Sequence, residues 1–527
     1  MSGLVLLLFS IIAFLLGYLF YLKFLLKKLF PISSDIQTPA VKFNDGFDYV
    51  PSRNWLMLFG HHFASIAGAA PIIGPVIALS LWGWAPAIIW IILGSIFLGG
   101  IHDFSALYIS VKSKGVSIAE VGKTAISDRT KKLFSIFILL TLILIIGVFL
   151  YFCANTFVNK PEIIMPSLGL VPVAIVVGIM LYRFNMNTVY STILGLVLLG
   201  ALVYFGDKLA INVSITRNVW IVILMVYCFF ASIMPVNILL QPRDYLSTYL
   251  LFAGILFGIL GIFITRPVVV APAFIAFNTE SGPLWPMLFV TIACGAISGF
   301  HSLVAAGTTS KQISNERYAP RIGYGAMLLE GLLAVIALIS VASLSGSTFV
   351  NLLKSSGTIN CFGKGYGNIV LPFLGSYGGA FAILILNAFI LTTLDTATRI
   401  SRYVMTEVFN IKNKFLATFI PVILAGFLAL SGSWKSIWII FGASNQLIAA
   451  LSLIVVSGWL IKRGKPIRYT FIPAIFMLMT TVFAILYKLN HFIKDRNIVL
   501  SIISIMLILL GISVLWEGRF IFKRRVV

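Results

Sequence analysis

Apolar runs of about twenty residues, each closed by a short polar or basic connector, repeat along almost the whole chain. Runs this long with no wet face exclude surface amphipathic helices and predict helices that cross a lipid bilayer. About fifteen spans of this kind are read, at 3–23, 55–82, 85–109, 133–153, 165–182, 188–205, 218–240, 246–264, 284–308, 324–345, 370–395, 415–431, 437–460, 471–487 and 498–517. Hydrocarbon cannot hydrogen-bond a bare backbone, so the expected fold class is an all-α polytopic membrane protein.

One span departs from the pattern. Phe59 to Pro75, FGHHFASIAGAAPIIGP, places two adjacent histidines, three glycines and two prolines inside an apolar run. Pro71 and Pro75 lack an N–H, and glycine has no side chain to hold φ, so the helix is expected to open around Gly68, Pro71 and Gly74. In a membrane, interrupted helices persist where protein covers them or where they line a wet cavity, which makes this stretch a candidate substrate or ion site. A kinked structural helix is the plainer alternative.

The segment Gly60–Gly68 aligns with Gly299–Gly307; both read G-x-H-x5-G in Gly-rich spans. An odd number of spans separates the two starts, which inverts the second copy relative to the first. The expected organisation is an N-terminal helix and cytoplasmic linker (1–54), a first inverted repeat (55–283), and a second repeat with C-terminal helices (284–527). The two discontinuous helices, 55–82 and 284–308, would meet near the bilayer midplane.

Composition agrees with this reading and narrows it. Sixty per cent hydrophobic and ten per cent charged residues leave no room for a large soluble domain. The net charge of +22 could suggest a nucleic-acid partner, but the basic residues sit in connectors, where they act as topology signals. Lys112–Lys132, Lys462–Arg468 and Arg519–Arg525 then face the cytoplasm, with the N-terminus outside and the C-terminus inside. No cleavable signal peptide is expected, because Lys23, Lys27 and Lys28 follow the first apolar run as a stop-transfer flank. Cys153, Cys228, Cys294 and Cys361 show no metal or redox spacing, and no H-x3-H occurs, so neither metal nor cofactor is expected.

The polar residues inside apolar runs are the site candidates. Imidazole binds and releases a proton near neutrality, which draws attention to His61, His62, His102 and His301. Successive helical residues point about 100° apart, so His61 and His62 cannot share one cavity. Asp103, Glu330 and Asp395 are the intramembrane carboxylates, and burial of such groups is costly enough to imply use. Asp395 with Arg399 reads as an i,i+4 ion pair or gate, Arg243 with Asp244 as a gate or anchor at an inner turn, and Glu330 as packed against Arg321 or Arg317. Ser302 lies in the second motif. Thr308 and Thr309 could coordinate an ion where the second broken span ends. Asn445 and Gln446 could touch substrate or join helices.

Six stretches together resemble the carbon starvation protein A family of membrane carriers: GHHFASIAGAAPIIGPVIA, GGIHDFSALYISVKSKGVSIAEV, QPRDYLSTYL, SGFHSLVAAGTTSKQI, TTLDTATRISRY and FGASNQLIAALSL. They fall in order across residues 50 to 460. The resemblance implies a bacterial inner-membrane secondary transporter of pyruvate or peptides driven by a proton gradient, with a LeuT-like core of five-plus-five inverted helices. Ala70 stands where family members often have Gly, and Ala305-Ala306 where they often have Ser-Ser, so no hydroxyl role carries over there. The chain is also expected to lack C-terminal spans of the longer members.

The expected function is uptake by alternating access. His62 and His301 would contact a proton or substrate carboxylate, and Gly68, Gly74 and Gly307 would open the backbone. Freed N–H groups at such breaks attract carboxylates. Asp103 is the next candidate for the coupling proton. The alternatives are a sodium-coupled carrier of another organic anion or amino acid, with Thr308 and Thr309 as ligands, and an intramembrane enzyme using His62 and Asp103 on a lipid-linked substrate. A sensor or scaffold is a third class, weakened by the lack of a signalling domain. Partners are a small-molecule substrate, a coupling ion and membrane lipid.

Overall fold

A computed structural model of the chain describes residues 1–33, 36–208, 215–432 and 434–523. Its longer helices are α1 (Gly3–Lys28), α2 (Trp55–Ala67), α3 (Ala70–Trp82), α4 (Trp84–Lys112), α5 (Asp128–Asn159), α6 (Pro161–Arg183), α7 (Thr188–Gly206), α8 (Arg217–Ile233) and α9 (Leu240–Thr265). There follow α10 (Leu284–Thr291), α11 (Gly299–Gly307), α12 (Glu316–Ala342), α13 (Gly357–Leu374), α14 (Gly378–Phe409), α15 (Lys414–Leu430), α16 (Trp434–Ile461), α17 (Arg468–Lys494) and α18 (Ile498–Lys523).

Among the described residues, twelve stretches are long and apolar enough to span a membrane. The other expected spans fall on the shorter apolar helices α8 and α15 and on the interrupted segment 284–307. The span expected at 370–395 is instead parts of two helices. α13 and α14 fold back on each other through Gly375–Tyr377, where Gly375 takes φ +53. Averaged hydropathy runs straight across such a turn, which is why the sequence pattern merges them.

Burial sorts the helices into layers. The apolar windows of Trp55–Trp82, Glu316–Ala342 and Ile437–Ile461 are 83%, 83% and 94% buried, against 33% for α1 and 28% for α7. The interrupted segment α2–α3, with α12 and α16, is therefore the interior, and α1 and α7 offer their sides to lipid.

The first interruption falls at Gly68, where φ is +52 and ψ −156. This backbone geometry is open almost only to glycine. The Thr393 hydroxyl from α14 donates to the Ser65 carbonyl (3.0 Å), pairing one acceptor left bare by the missing helical turn. Pro71 does not open the helix as expected. It sits at the start of α3, where its missing N–H is harmless. Gly74 lies inside α3; a Cβ there would stand 2.6 Å from the Thr291 carbonyl, so the two interruptions touch at this point.

The second interruption is residues 292–298, between α10 and α11. Gly307 does not open it, because Gly307 closes α11 on the far side. α2 packs on α11, and α3 packs on α10. This crosswise pairing is how two broken helices fit when they run in opposite directions. It also corrects the motif alignment. The G-x-H-x5-G copy in α2 precedes its break and the copy in α11 follows its break, so their histidines gather on the same side of both interruptions.

Candidate functional site

His61, His62, His102, Asp103, Asp244, His301, Glu330 and Asp395 are all fully buried. They fall into two groups: His61, Asp244 and Asp395 in a chain bridged by Arg243, with His62 bonded separately to Thr309, and His102, Asp103 and His301 in hydrogen bonds, with Glu330 beside His301.

The first group runs from α2 to α9 and α14. His62 Nδ1 shares a hydrogen bond with Thr309 Oγ1 (2.8 Å), just beyond α11, and its Nε2 has no protein partner. His61, turned away from His62 by the helical screw, meets Asp244 Oδ2 through Nδ1 (2.6 Å) and accepts at Nε2 from the Gln312 amide (3.1 Å). An amide nitrogen only donates, so the proton of a neutral His61 lies on Nδ1 and both ring nitrogens are satisfied. Asp244 Oδ1 accepts from Arg243 Nε (3.0 Å) and Nη2 (2.6 Å). Arg243 Nη1 then reaches the Tyr227 hydroxyl (2.8 Å) and the Asp395 carboxylate. Arg243 and Asp244 lie near the start of α9 and are buried.

The second group joins α4, α11 and α12. Asp103 accepts from two imidazoles, His102 Nδ1 at Oδ1 and His301 Nδ1 at Oδ2, both at 2.7 Å. His301 Nε2 lies 3.2 Å from Glu330 Oε2 without hydrogen-bond geometry, and neither Glu330 oxygen has a partner. The expected packing of Glu330 against Arg321 or Arg317 is thus replaced by a contact with His301. Arg321 instead stacks over Trp55.

Other expected pairings also change. Asp395 and Arg399 do not pair with each other. Asp395 goes to Arg243 and to the Tyr227 hydroxyl (2.5 Å), and Arg399 goes to Asp48 (3.3 Å) and to the Ala231 (2.9 Å) and Met234 carbonyls. Asn445 accepts from the Phe300 N–H (2.7 Å) and donates to Ser298 (2.9 Å), while Gln446 donates to the Phe289 carbonyl (2.7 Å). These amides on α16 hold the second interruption in shape. Thr308 donates to the Val304 carbonyl, and Ser302 bonds Gly299 and Ser452, all within the helical framework.

At one end of this interior, the connector before α2 is pinned by Asp48. Its Oδ1 accepts from Tyr403 (2.7 Å) and pairs with Arg399 (3.3 Å) and Arg402 (3.2 Å). Burial alone would raise the Asp48 carboxyl, but Arg402, Arg399 and Lys311 outweigh it and hold the group below the usual carboxylate range.

Asp48 and Tyr227 are the participants that sequence reasoning missed, and Glu330 is the one it misplaced. Glu330 carried a signal, being a carboxylate in an apolar run. Asp48 carried none, since it sits in a polar connector.

The family model described as carbon starvation protein CstA matches residues 2–370 and 350–484. The peptide transporter CstA of Campylobacter jejuni is 30% identical over 94% of this chain and 82% of its own length. The pyruvate/proton symporter BtsT of Escherichia coli is 31% identical over 91% of this chain and 81% of its own. Among solved structures, a manganese transporter of Eremococcus coleocola superposes with a TM-score of 0.54 at 15% identity, covering 91% of this chain and 99% of that one. At that identity the likeness shows a shared fold.

Proposed function

The chain belongs to the carbon starvation protein CstA family, and on that footing we propose that it takes up pyruvate or a small peptide by alternating access, coupled to protons. The observation that carries this reading is His62. It is a fully buried imidazole on one broken helix, tied at Nδ1 to Thr309 beyond the other, with Nε2 unpartnered. A proton or a carboxylate arriving at Nε2 changes the charge of a link between the two halves that must part for access to alternate. Both a peptide C-terminus and pyruvate offer that carboxylate, and peptide and pyruvate are the substrates in the names of the two relatives.

Sodium is the second reading. The Thr308 hydroxyl donates to the Val304 carbonyl and so keeps its oxygen lone pairs for a cation, while Thr309 shares its hydroxyl with His62. A bacterial inner-membrane location, with the N-terminus outside and the C-terminus inside, is supported by the basic connectors.

The test is uptake of labelled pyruvate and of several dipeptides by purified protein in liposomes, under an imposed proton or sodium gradient. Acceleration of one substrate class by an inward proton gradient is expected. Indifference to the proton gradient removes the coupling, and absence of counterflow for every substrate removes the carrier.

A further inference from the structure

We propose that Cys294, His301 and Glu330 form a binding site for a divalent transition metal of the zinc class. Their ligand atoms all lie within 4.8 Å of one another, and all three residues are buried. Two atoms bound at about 2.0–2.1 Å in a tetrahedral zinc site stand about 3.3 Å apart. His301 Nε2 and Glu330 Oε2 are 3.2 Å apart.

Three further observations point to a cation at this spot. His301 commits its Nδ1 to Asp103 (2.7 Å), so the neutral ring presents a bare lone pair at Nε2 toward a carboxylate. In that neutral tautomer two acceptors face each other across the gap, an arrangement that either a proton on Nε2 or a cation relieves, and Nε2 and both Glu330 oxygens have no protein partner although they are fully buried. Second, a carboxylate behind a ligating imidazole is the usual outer support of a metal-bound histidine, fixing its tautomer and raising its basicity. Asp103 stands there, itself steadied by His102. Third, the sulfur is also held, with Cys294 Sγ donating to Ser298 (3.4 Å) and accepting from the Asn445 amide (3.5 Å). A thiol beside an imidazole and one carboxylate favours zinc over calcium or magnesium, which take all-oxygen shells. Three protein ligands leave a fourth position open.

Residue spacing carries no sign of this site because its ligands are spread over three segments. Cys294 comes from the unwound stretch and His301 from α11, with Glu330 from α12 across from them. A bound ion would tie the second interruption to α12. The inference does not depend on which substrate is carried or which ion drives uptake.

The experiment uses purified full-length protein, stripped with chelator and titrated with Co2+. We expect one cobalt per chain with thiolate-to-cobalt charge-transfer absorption, displaced by Zn2+. Cys294→Ser should abolish that absorption. Asp103→Asn should keep it while weakening affinity about ten- to a hundredfold. The wild-type spectrum decides the matter without any variant. No thiolate absorption, as when a shared proton fills the gap or cobalt binds at the surface, overturns the site. Absorption that survives in Cys294→Ser belongs to another cysteine and overturns it equally. Either failure leaves liposome uptake untouched, so it is distinguishable from failure of the carrier reading.

Discussion

Arg243 is the residue on which two carboxylates converge, and the consequence is measurable. Removing one member of a buried ion pair leaves an uncompensated charge and costs about 3–5 kcal/mol. Arg243→Met strands both Asp244 and Asp395 and should therefore lower the thermal midpoint of the purified protein sharply, whereas Asp395→Asn leaves Arg243 paired with Asp244 and should cost less. His62 makes a different prediction. His62→Gln keeps a polar group at the Thr309 link but cannot carry a proton, so counterflow should persist while acceleration by a proton gradient disappears. Counterflow and gradient-driven uptake in the same vesicles separate the two effects. Intramembrane charge made Asp103, Glu330 and Asp395 legible in the sequence. Their partners were not legible. Asp395 and Arg399 have the spacing of a helical ion pair, yet each is drawn to a group on another element, a choice that only tertiary packing makes.

At the scale of elements, the two interruptions were unequally visible. The first was marked by glycine and proline at the place where it occurs, Gly68. The second was sought at the wrong end of its segment, because the G-x-H-x5-G match implied equivalent positions, whereas the crosswise pairing puts the break before the motif in α11. Gly295 and Ser298, within the unwound stretch, were the sequence features available and carry no unique signal. Gly68→Ala forces a side chain into a conformation costing about 1–3 kcal/mol, and its Cβ would also meet Thr393 Oγ1 at 3.2 Å. It should reduce stability and transport together. Gly74→Ala is the sharper probe. Its Cβ presses on the Thr291 carbonyl at 2.6 Å and wedges the interruptions apart, so counterflow should fall by more than the thermal midpoint does.

Across the whole molecule, the connector before α2 works as a strap. Asp45 Oδ1 accepts the N–H groups of Phe47, Asp48 and Tyr49, and the Val50 and Ser52 N–H groups donate to the Lys311 and Gln312 carbonyls. The Val236 N–H bonds the Phe47 carbonyl, and Asp48 closes onto α14. The strap thus binds the entrance of one broken helix to the exit of the other. Asp48→Asn should raise amide hydrogen exchange across residues 44–52 several-fold. Because the folded carboxyl titrates below its ordinary value of about 3.9, this contribution is complete above that value and is lost only as pH falls through the lower folded one. Exchange in the strap, corrected for intrinsic rate, should be flat across the neutral range. The helical class and the interior position of the 55–82 segment could be read from hydropathy and Gly/Pro placement. The strap could not, since polar connectors look alike in sequence.

Crosswise packing also divides the interior chemically, apolar around α3 and α10 and charged around α2 and α11. A solute approaching from the α3–α10 side meets Pro, Gly, Ile and Val, which sort by shape and hydration. One approaching from the α2–α11 side meets imidazoles, carboxylates and a guanidinium, which sort by charge. The two directions of passage therefore impose different filters, and inhibitors that act from one face need not resemble those that act from the other.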